Sequence, residues 1–422
     1  MNLFTAIFFV FLLGMVVVRL WLATRHVAHI QRNRAAVPGE FTEFISLDAH
    51  QRSADYSIEK TRLAMKETVA DAVFLLLVTL GGWLVWIDSM SAAWFGDTYW
   101  RGVATVFGVM LISSLLFLPF ELLRTFVLEA KFGFNKITLR LFVVDAVKGA
   151  LLAAAIGIPL LLITFWLIQS MGRFWWFYVW LVWLAFSVLM IAVYPAFIAP
   201  LFNKFSPLAD EALKTRIETL LDRCGFRAQG LYVMDGSKRS SHGNAYFTGF
   251  GRSKRIVFFD TLIERLSPPE IEAVLAHELG HFKRHHILKL VVSRFAVALL
   301  VLAALGWVID KPWFYEGVGI SAVGGGALPH IGVSLILFFL LLPVFTFPLT
   351  PLASVLSRKH EFEADAYAAE QTRASDLISA LVKLYRDNAS TLTPDPLHSM
   401  IYDSHPPAAI RIAHLKAQPG SD

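Results

Sequence analysis

The chain has 422 residues, 56% of them hydrophobic and only 17% charged, with a net charge of +5 and a mean hydropathy of +0.57. That balance lies well to the apolar side of soluble proteins and marks a membrane protein. The single cysteine, Cys224, excludes an internal disulfide framework, a multi-cysteine zinc knuckle and an iron–sulfur cluster, and reads as a packing residue.

In chain order, apolar stretches at about 2–24, 68–88, 102–123, 141–169, 174–200, 287–309 and 331–353 approach or exceed the roughly 20 residues that cross a bilayer. The first has no basic leader and no small-residue cleavage site after it, so it reads as a retained span. Basic residues gather in 25–67, 124–140 and 201–286, whereas 89–101, 170–173 and 310–330 hold just Arg101, Arg173 and Lys311. By the positive-inside rule the N-terminus is expected outside and the C-terminal tail in the cytoplasm. Topology therefore accounts for the basic clusters, and no nucleic-acid partner is expected. Asp71, Glu121, Arg124, Asp145 and Lys148 fall in or at the edges of spans, where charge is costly unless paired or hydrated. Glu121 and Asp145 are expected to face a hydrated bundle interior, while Arg124 and Lys148 are long enough to snorkel.

The expected division is 1–200 for five spans with their loops, 201–286 for a cytoplasmic segment, 287–353 for two more spans and 354–422 for a cytoplasmic tail. The fold class is mainly α, a seven-helix membrane bundle carrying a cytoplasmic metalloprotease-like unit with a small β-hairpin or sheet. In the first cytoplasmic segment "DEALKTRIETLLDRC" is an amphipathic helix and "LYVMD" a strand. "AYFTGF" and "RIVFFD" form a hairpin around the turn "GRSK". "SPPE" at 267–270 starts a helix, with Ser267 as N-cap, Pro268 at the first helical position and Glu270 closing a capping box.

That helix carries "AVLAHELGHFKRHH" at 273–286. His277 and His281, four apart, project from one helical face and can grip a single ion. Glu278 lies about 100° round from His277, near enough to take a proton from an attacking water without being a ligand. Neutral imidazoles suit Zn2+, one per chain, which polarises a peptide carbonyl. A catalytic site needs a third protein ligand, and "SRKHEFEADAYAAE" in the tail offers Glu361, with Asp365 one turn on to receive a hydrogen bond from the far nitrogen of a ligand histidine. Glu363 is read as solvated surface, and "FKRHH" as the basic end of the next span rather than as extra ligands.

These motifs together resemble the type I CAAX prenyl endopeptidases, integral-membrane zinc proteases that cleave at prenylated C-termini. "HELGH" and "EFEADAYA" carry the resemblance, joined by "FVLEAKFGFNKIT" (126–138), "YPAFIAPLFNKFSPL" (194–208), "SSHGNAYFTGFG" (240–251) and "YDSHPPAAIRIAHL" (402–415). It implies that His277, His281 and Glu361 bind zinc, that Glu278 is the general base, and that Asn244, with Ala245 and Tyr246, holds the substrate backbone. It further implies that His405 stabilises the oxyanion, that Arg411 orients the tail around it, and that the seven helices enclose a large water-filled chamber. An extended "NAYFTG" edge can pair with an extended peptide by strand addition, and a histidine donor near zinc suits a tetrahedral intermediate. The expected partners are a peptide or protein substrate, lipid-modified or not, and membrane lipid. The short glycine-rich loop "GVGISAVGGGALPH" and a tail "AQPGSD" without an endoplasmic-reticulum retention signal point to a bacterial inner-membrane homologue. Two other functions compete: a general membrane quality-control metalloprotease, which has fewer spans, and a transporter or receptor with a structural ion, whose inverted repeats the sequence lacks.

Overall fold

The computed structural model describes residues 2–248, 255–320 and 330–418. Six helices in it are long and apolar enough to cross a membrane: Leu3–Asn33, Tyr99–Lys131, Leu139–Ser170, Gly172–Phe202, His286–Val308 and Ile331–Gln371. A bent pair, Leu47–Val78 and Trp83–Phe95, supplies a seventh when counted as one span. The continuous span expected at 68–88 is therefore corrected to two helices meeting at 54°. The break falls at a Gly-Gly pair: Gly82 adopts φ 75°, a left-handed conformation that side chains disfavour, and a Cβ on Gly81 would stand 2.6 Å from the Leu77 carbonyl oxygen. Side-chain caps fix other starts, Asn2 accepting from Thr5 N, Ser46 from Ala49 N and Thr138 from Leu141 N.

The buried apolar core of the bundle lies toward one end. It takes Phe8 and Leu12 from the first helix, Val103 and Val109 from Tyr99–Leu122, Phe165 and Ile168 from Leu139–Ser170, and Leu302, Leu305 and Val308 from His286–Val308. All lie toward the ends expected outside. At this end Gly102 and Gly332 let two helices touch; a Cβ on Gly332 would fall 2.5 Å from the Gly102 Cα. Toward the other end Val17, Val18, Leu115, Leu116, Val188 and Leu290 are exposed to lipid or to the interior.

That segment has its own core. The helix Glu211–Arg223 buries Leu213, Ile217 and Leu220 on one face, as its amphipathic pattern requires. They pack with Ile256 and Phe258 of the sheet and with Leu275 and Leu279 of the helix Pro268–Lys283. Four strands, β1 (Phe205–Pro207), β2 (Leu231–Met234), β3 (Ala245–Thr248) and β4 (Arg255–Phe259), order as β1-β2-β4-β3. β2 and β4 are parallel, the other pairs antiparallel. The sequence pattern identified β2, β3 and β4 but not the three-residue β1. The turn at 251–254 and residues 321–329 of the glycine-rich loop lie outside the described residues.

Several charged residues at the span edges are paired, while the Glu121 side chain stays half exposed. Asp145, expected to face a hydrated interior, accepts from Arg239 Nε at 2.9 Å and Nη2 at 3.1 Å, clamping a membrane helix to the protease segment. Lys148 Nζ donates to the Leu201 carbonyl at 2.7 Å, and Arg124 donates to Glu67 and to Glu121.

Candidate metal centre and peptide site

The capping box expected at the start of the motif helix is present, with Ser267 and Glu270 bonding reciprocally. Glu270 does more than cap. Its buried carboxylate accepts from Ser267 N (2.7 Å), Ser379 Oγ (2.6 Å) and Lys383 Nζ (2.8 Å), which locks the motif helix to Ala374–Asp387. The third-ligand helix, Thr350–Gln371, crosses the motif helix where the sequence has glycine. A Cβ on Gly280 would meet the Ala364 Cα at 2.9 Å, so the glycine of "HELGH" is what lets Glu361 come close enough.

The structure brings His277, His281 and Glu361 together, with their ligand atoms all within 4.8 Å of one another. His277 Nε2 lies 3.3 Å from His281 Nε2 and 3.5 Å from Glu361 Oε2, and His281 Nε2 lies 3.4 Å from Glu361 Oε1. Zinc bonds of about 2.0–2.1 Å at tetrahedral angles place ligand atoms roughly 3.3–3.4 Å apart; each imidazole nitrogen faces a different oxygen of the Glu361 carboxylate at close to that spacing, so the three side chains converge on a space that one ion could fill. Glu361 Oε2 is buried without a hydrogen bond of good geometry, as expected of an atom aimed at an ion. The site's acid–base balance points the same way. Burial lowers the His281 pKa to about 4, keeping the imidazole neutral. Burial works in the same direction on His277, but Asp365 and Glu361 outweigh it and raise its pKa to about 9; a cation is wanted there.

Around this cluster, His277 Nδ1 donates to Asp365 Oδ1 at 2.8 Å, which fixes the tautomer that turns Nε2 inward. Arg411 Nε and Nη2 donate to Asp365 at 2.9 and 2.6 Å. Its Nη1 lies 3.7 Å from Glu361 Oε2, so Arg411 serves the two acids more directly than it serves His405. His405 sits with Nδ1 2.6 Å from Glu361 Oε2 while 61% of its side chain stays exposed. Glu278 lies within electrostatic reach of His277, Glu361, His405 and Arg411, and burial raises its pKa above the ordinary 4.5.

Comparison with known proteins decides the family. Residues 26–204 match the family described as CAAX prenyl protease N-terminal, five membrane helices, and residues 207–418 match peptidase family M48. The chain belongs to the type I CAAX prenyl protease family. It is 37% identical to the CAAX prenyl protease 1 homolog of Oryza sativa over 92% of both chains. It is 32% identical to the human homolog over 92% of this chain and 90% of that one. The crystal structure of S. mikatae Ste24p superposes with a TM-score of 0.92 at 32% identity, covering 98% of this chain and 99% of that one. This member of the family is accordingly a membrane-embedded metalloendopeptidase.

The CAAX-protease chain also braces the His277–His281–Glu361 cluster with groups that spacing alone did not reveal. His285, at φ 58°, makes the sharp junction between the motif helix and the next membrane helix. The junction returns His286 to the cluster, where its Nδ1 lies 3.1 Å from His281 Nδ1 and its Nε2 2.9 Å from Glu363 Oε2. The expectation that Glu363 is solvated surface is corrected: Glu363 bonds to His286, and the two form a brace behind His281. Tertiary return of the chain across the junction places them there, and helical spacing carries no trace of it.

At the peptide edge, β3 is the outermost strand, as strand addition requires. Phe259 N donates to Asn244 O, so strand parity turns the Asn244 and Tyr246 backbone groups toward β4 and those of Ala245 and Phe247 toward the open edge. Tyr246, expected to hold substrate backbone, instead spends its backbone inside the sheet and sets its ring against Phe259. Asn244 Oδ1 accepts from Ala245 N at 2.8 Å and occupies the donor a peptide would use.

Proposed function

We propose that the protein is a zinc endopeptidase that cleaves near the C-terminus of lipid-modified, CAAX-type peptides at the membrane surface. The observation that carries this reading is the convergence of His277, His281 and the Glu361 carboxylate, with ligand atoms all within 4.8 Å of one another, in a chain of this family. His277, His281 and Glu361 would hold one Zn2+ per chain, which when bound polarises the scissile carbonyl and acidifies water.

The protein's own groups do the rest. Glu278, its carboxyl raised by burial, takes the proton of the attacking water and delivers it to the leaving amine. Asp365, bound by Arg411, holds the His277 tautomer. His405 swings from Glu361 to donate to the oxyanion, a movement its exposure permits. The Asn244 amide turns away from Ala245 N, freeing that donor and offering its own side chain to the peptide. By the distribution of basic residues, the N-terminus lies outside and both protease segments lie in the cytoplasm, and the short glycine-rich loop favours a bacterial inner membrane.

The substrate claim is tested by offering the purified protein a farnesylated CAAX peptide and its unprenylated twin. Faster cleavage of the prenylated peptide is expected. Equal cleavage of the two would favour a general quality-control protease and remove the lipid from the reading.

A further inference from the structure

We propose that the cavity beside the metal cluster binds the free α-carboxylate at the substrate's C-terminus through Lys60 and Arg19, and so measures the distance from the chain end to the cleaved bond. This rests on the peptidase reading above and adds to it a site for the end of the substrate.

The cavity, of about 930 Å³, has His405 in its wall, so it opens beside the metal cluster. Lys60 of Leu47–Val78 and Arg19 of Leu3–Asn33 also line it; the one carboxylate among its lining residues is Asp403. Arg19 is the lone charge in the run "FLLGMVVVRLWLAT", a place where a cation persists only with a purpose or a partner. Among the described residues, neither Arg19 nor Lys60 forms an ion pair. Asp71 acts on Arg19 and Glu129 on Lys60 only at longer range. Glu129 is already engaged, by the Tyr56 hydroxyl at 2.5 Å and by His242 Nε2 at 3.5 Å. Lys60 Nζ instead stands over the Tyr56 ring, and Arg19 neighbours the Tyr402 hydroxyl. Two uncompensated cations in a cleft next to a hydrolytic centre are a receptor for an anion.

The open edge of β3 says which end of the peptide arrives there. His242, just before β3, lines the cationic cavity, whereas Phe247 and Thr248 at its far end line a second cavity of about 1100 Å³ with Leu279, Ile191 and Ile287. A peptide paired antiparallel to β3 lays its N-terminal side over the apolar cavity and its C-terminal side toward Lys60 and Arg19. The parallel arrangement would bring a carboxylate toward a mostly apolar wall that includes Phe247 and Leu279, where the one lysine, Lys283, is exposed to solvent, a less favourable place for it than a cleft holding two cations. An extended chain advances roughly 3.3–3.6 Å per residue, so a carboxylate held in the first cavity would set how far from the chain end the bond presented to the cluster lies.

The test compares one farnesylated peptide as free acid and as C-terminal amide, on wild type and on Lys60→Gln, Arg19→Gln and the double variant. Wild type is expected to prefer the acid by about 10–100-fold in kcat/KM, mainly through KM, and the ratio should fall toward one in the variants. The acid–amide comparison on wild type needs no substitution, so it stands even where an Arg19 variant fails to fold. Equal, Glu278-dependent cleavage of acid and amide by wild type would overturn the carboxylate site while leaving the peptidase reading intact. Full preference for the acid in the double variant would overturn it as well. Should neither peptide be cleaved, the peptidase reading falls and this proposal with it. A phospholipid headgroup as the true occupant would appear as equal cleavage of the two peptides together with variants that change the dependence of rate on anionic lipid.

Discussion

Two buried clusters of charge sit at opposite ends of the bundle, and they are built to different ends. At the end away from the protease segment Asp88 takes Arg101 Nε at 3.1 Å and Nη2 at 2.5 Å plus the Thr105 hydroxyl at 3.0 Å, and Arg101 Nη1 reaches Asp97 at 2.8 Å. Each acceptor points at its own donor, and the cluster closes on itself. At the protease end Arg411 and Asp365 form a similar pair, but the ligand atoms of His277, His281 and Glu361 in front of them converge within 4.8 Å of one another. A closed ion pair holds helices together; a convergent set of acceptors asks for a cation. Burial and charge are common to both, so the aim of the lone pairs is what separates structure from chemistry.

Substitutions can break that contrast at either end. His277→Ala should abolish both metal binding and peptide cleavage, measured by metal analysis and turnover, because two remaining ligands do not hold a catalytic ion. Asp88→Ala should leave metal content intact but cost about 3–5 kcal/mol of stability in thermal unfolding, since it strands Arg101 in a buried site. Asp365→Asn should lower metal affinity or activity by roughly 10–100-fold without unfolding the protein, as expected for a group that orients a ligand. Glu270→Gln should cost about 1–3 kcal/mol through the loss of charge-assisted bonds to Lys383 and Ser379.

Glu270 also gives a pH signature. Burial would raise its pKa, but the bonds from Lys383, Ser379 and Ser267 hold it below the ordinary 4.5. A carboxylate with a depressed folded pKa contributes full stability above the unfolded value and loses it as pH falls through the folded one. Wild type should therefore lose stability on acidification below about pH 4.5 more steeply than Glu270→Gln. The smallest effect belongs to the brace: Glu363→Gln should weaken metal binding only a few-fold, less than Asp365→Asn, because it acts on His281 through His286.

Much of this was readable in the sequence, and the reasons are local. Helical spacing alone puts His277 beside His281, and a second run of acids four apart supplies Glu361 and Asp365. The capping box at Ser267–Glu270 is a pattern within a single turn. Long apolar runs declare spans by length, although the 68–88 run hid a break that Gly81 and Gly82 mark only once their backbone angles are seen. What escaped depends on contacts between distant segments. Glu270 meeting Lys383, His286 folding back behind His281, and Arg239 reaching Asp145 all need tertiary return of the chain. That the Tyr246 backbone turns toward β4 could not be read in advance, since neighbouring residues face opposite edges and only the pairing register says which.

The central claim is that the convergent cluster holds the metal with which Glu278 hydrolyses peptide. Its most direct test measures zinc content and cleavage of a farnesylated CAAX peptide on wild type and Glu278→Gln in parallel. One zinc per chain in both, with turnover lower by about 10²–10⁴-fold in the variant, is the expected result. Zinc-free wild type that still cleaves the peptide, or a zinc-loaded Glu278→Gln protein that turns over normally, would contradict it.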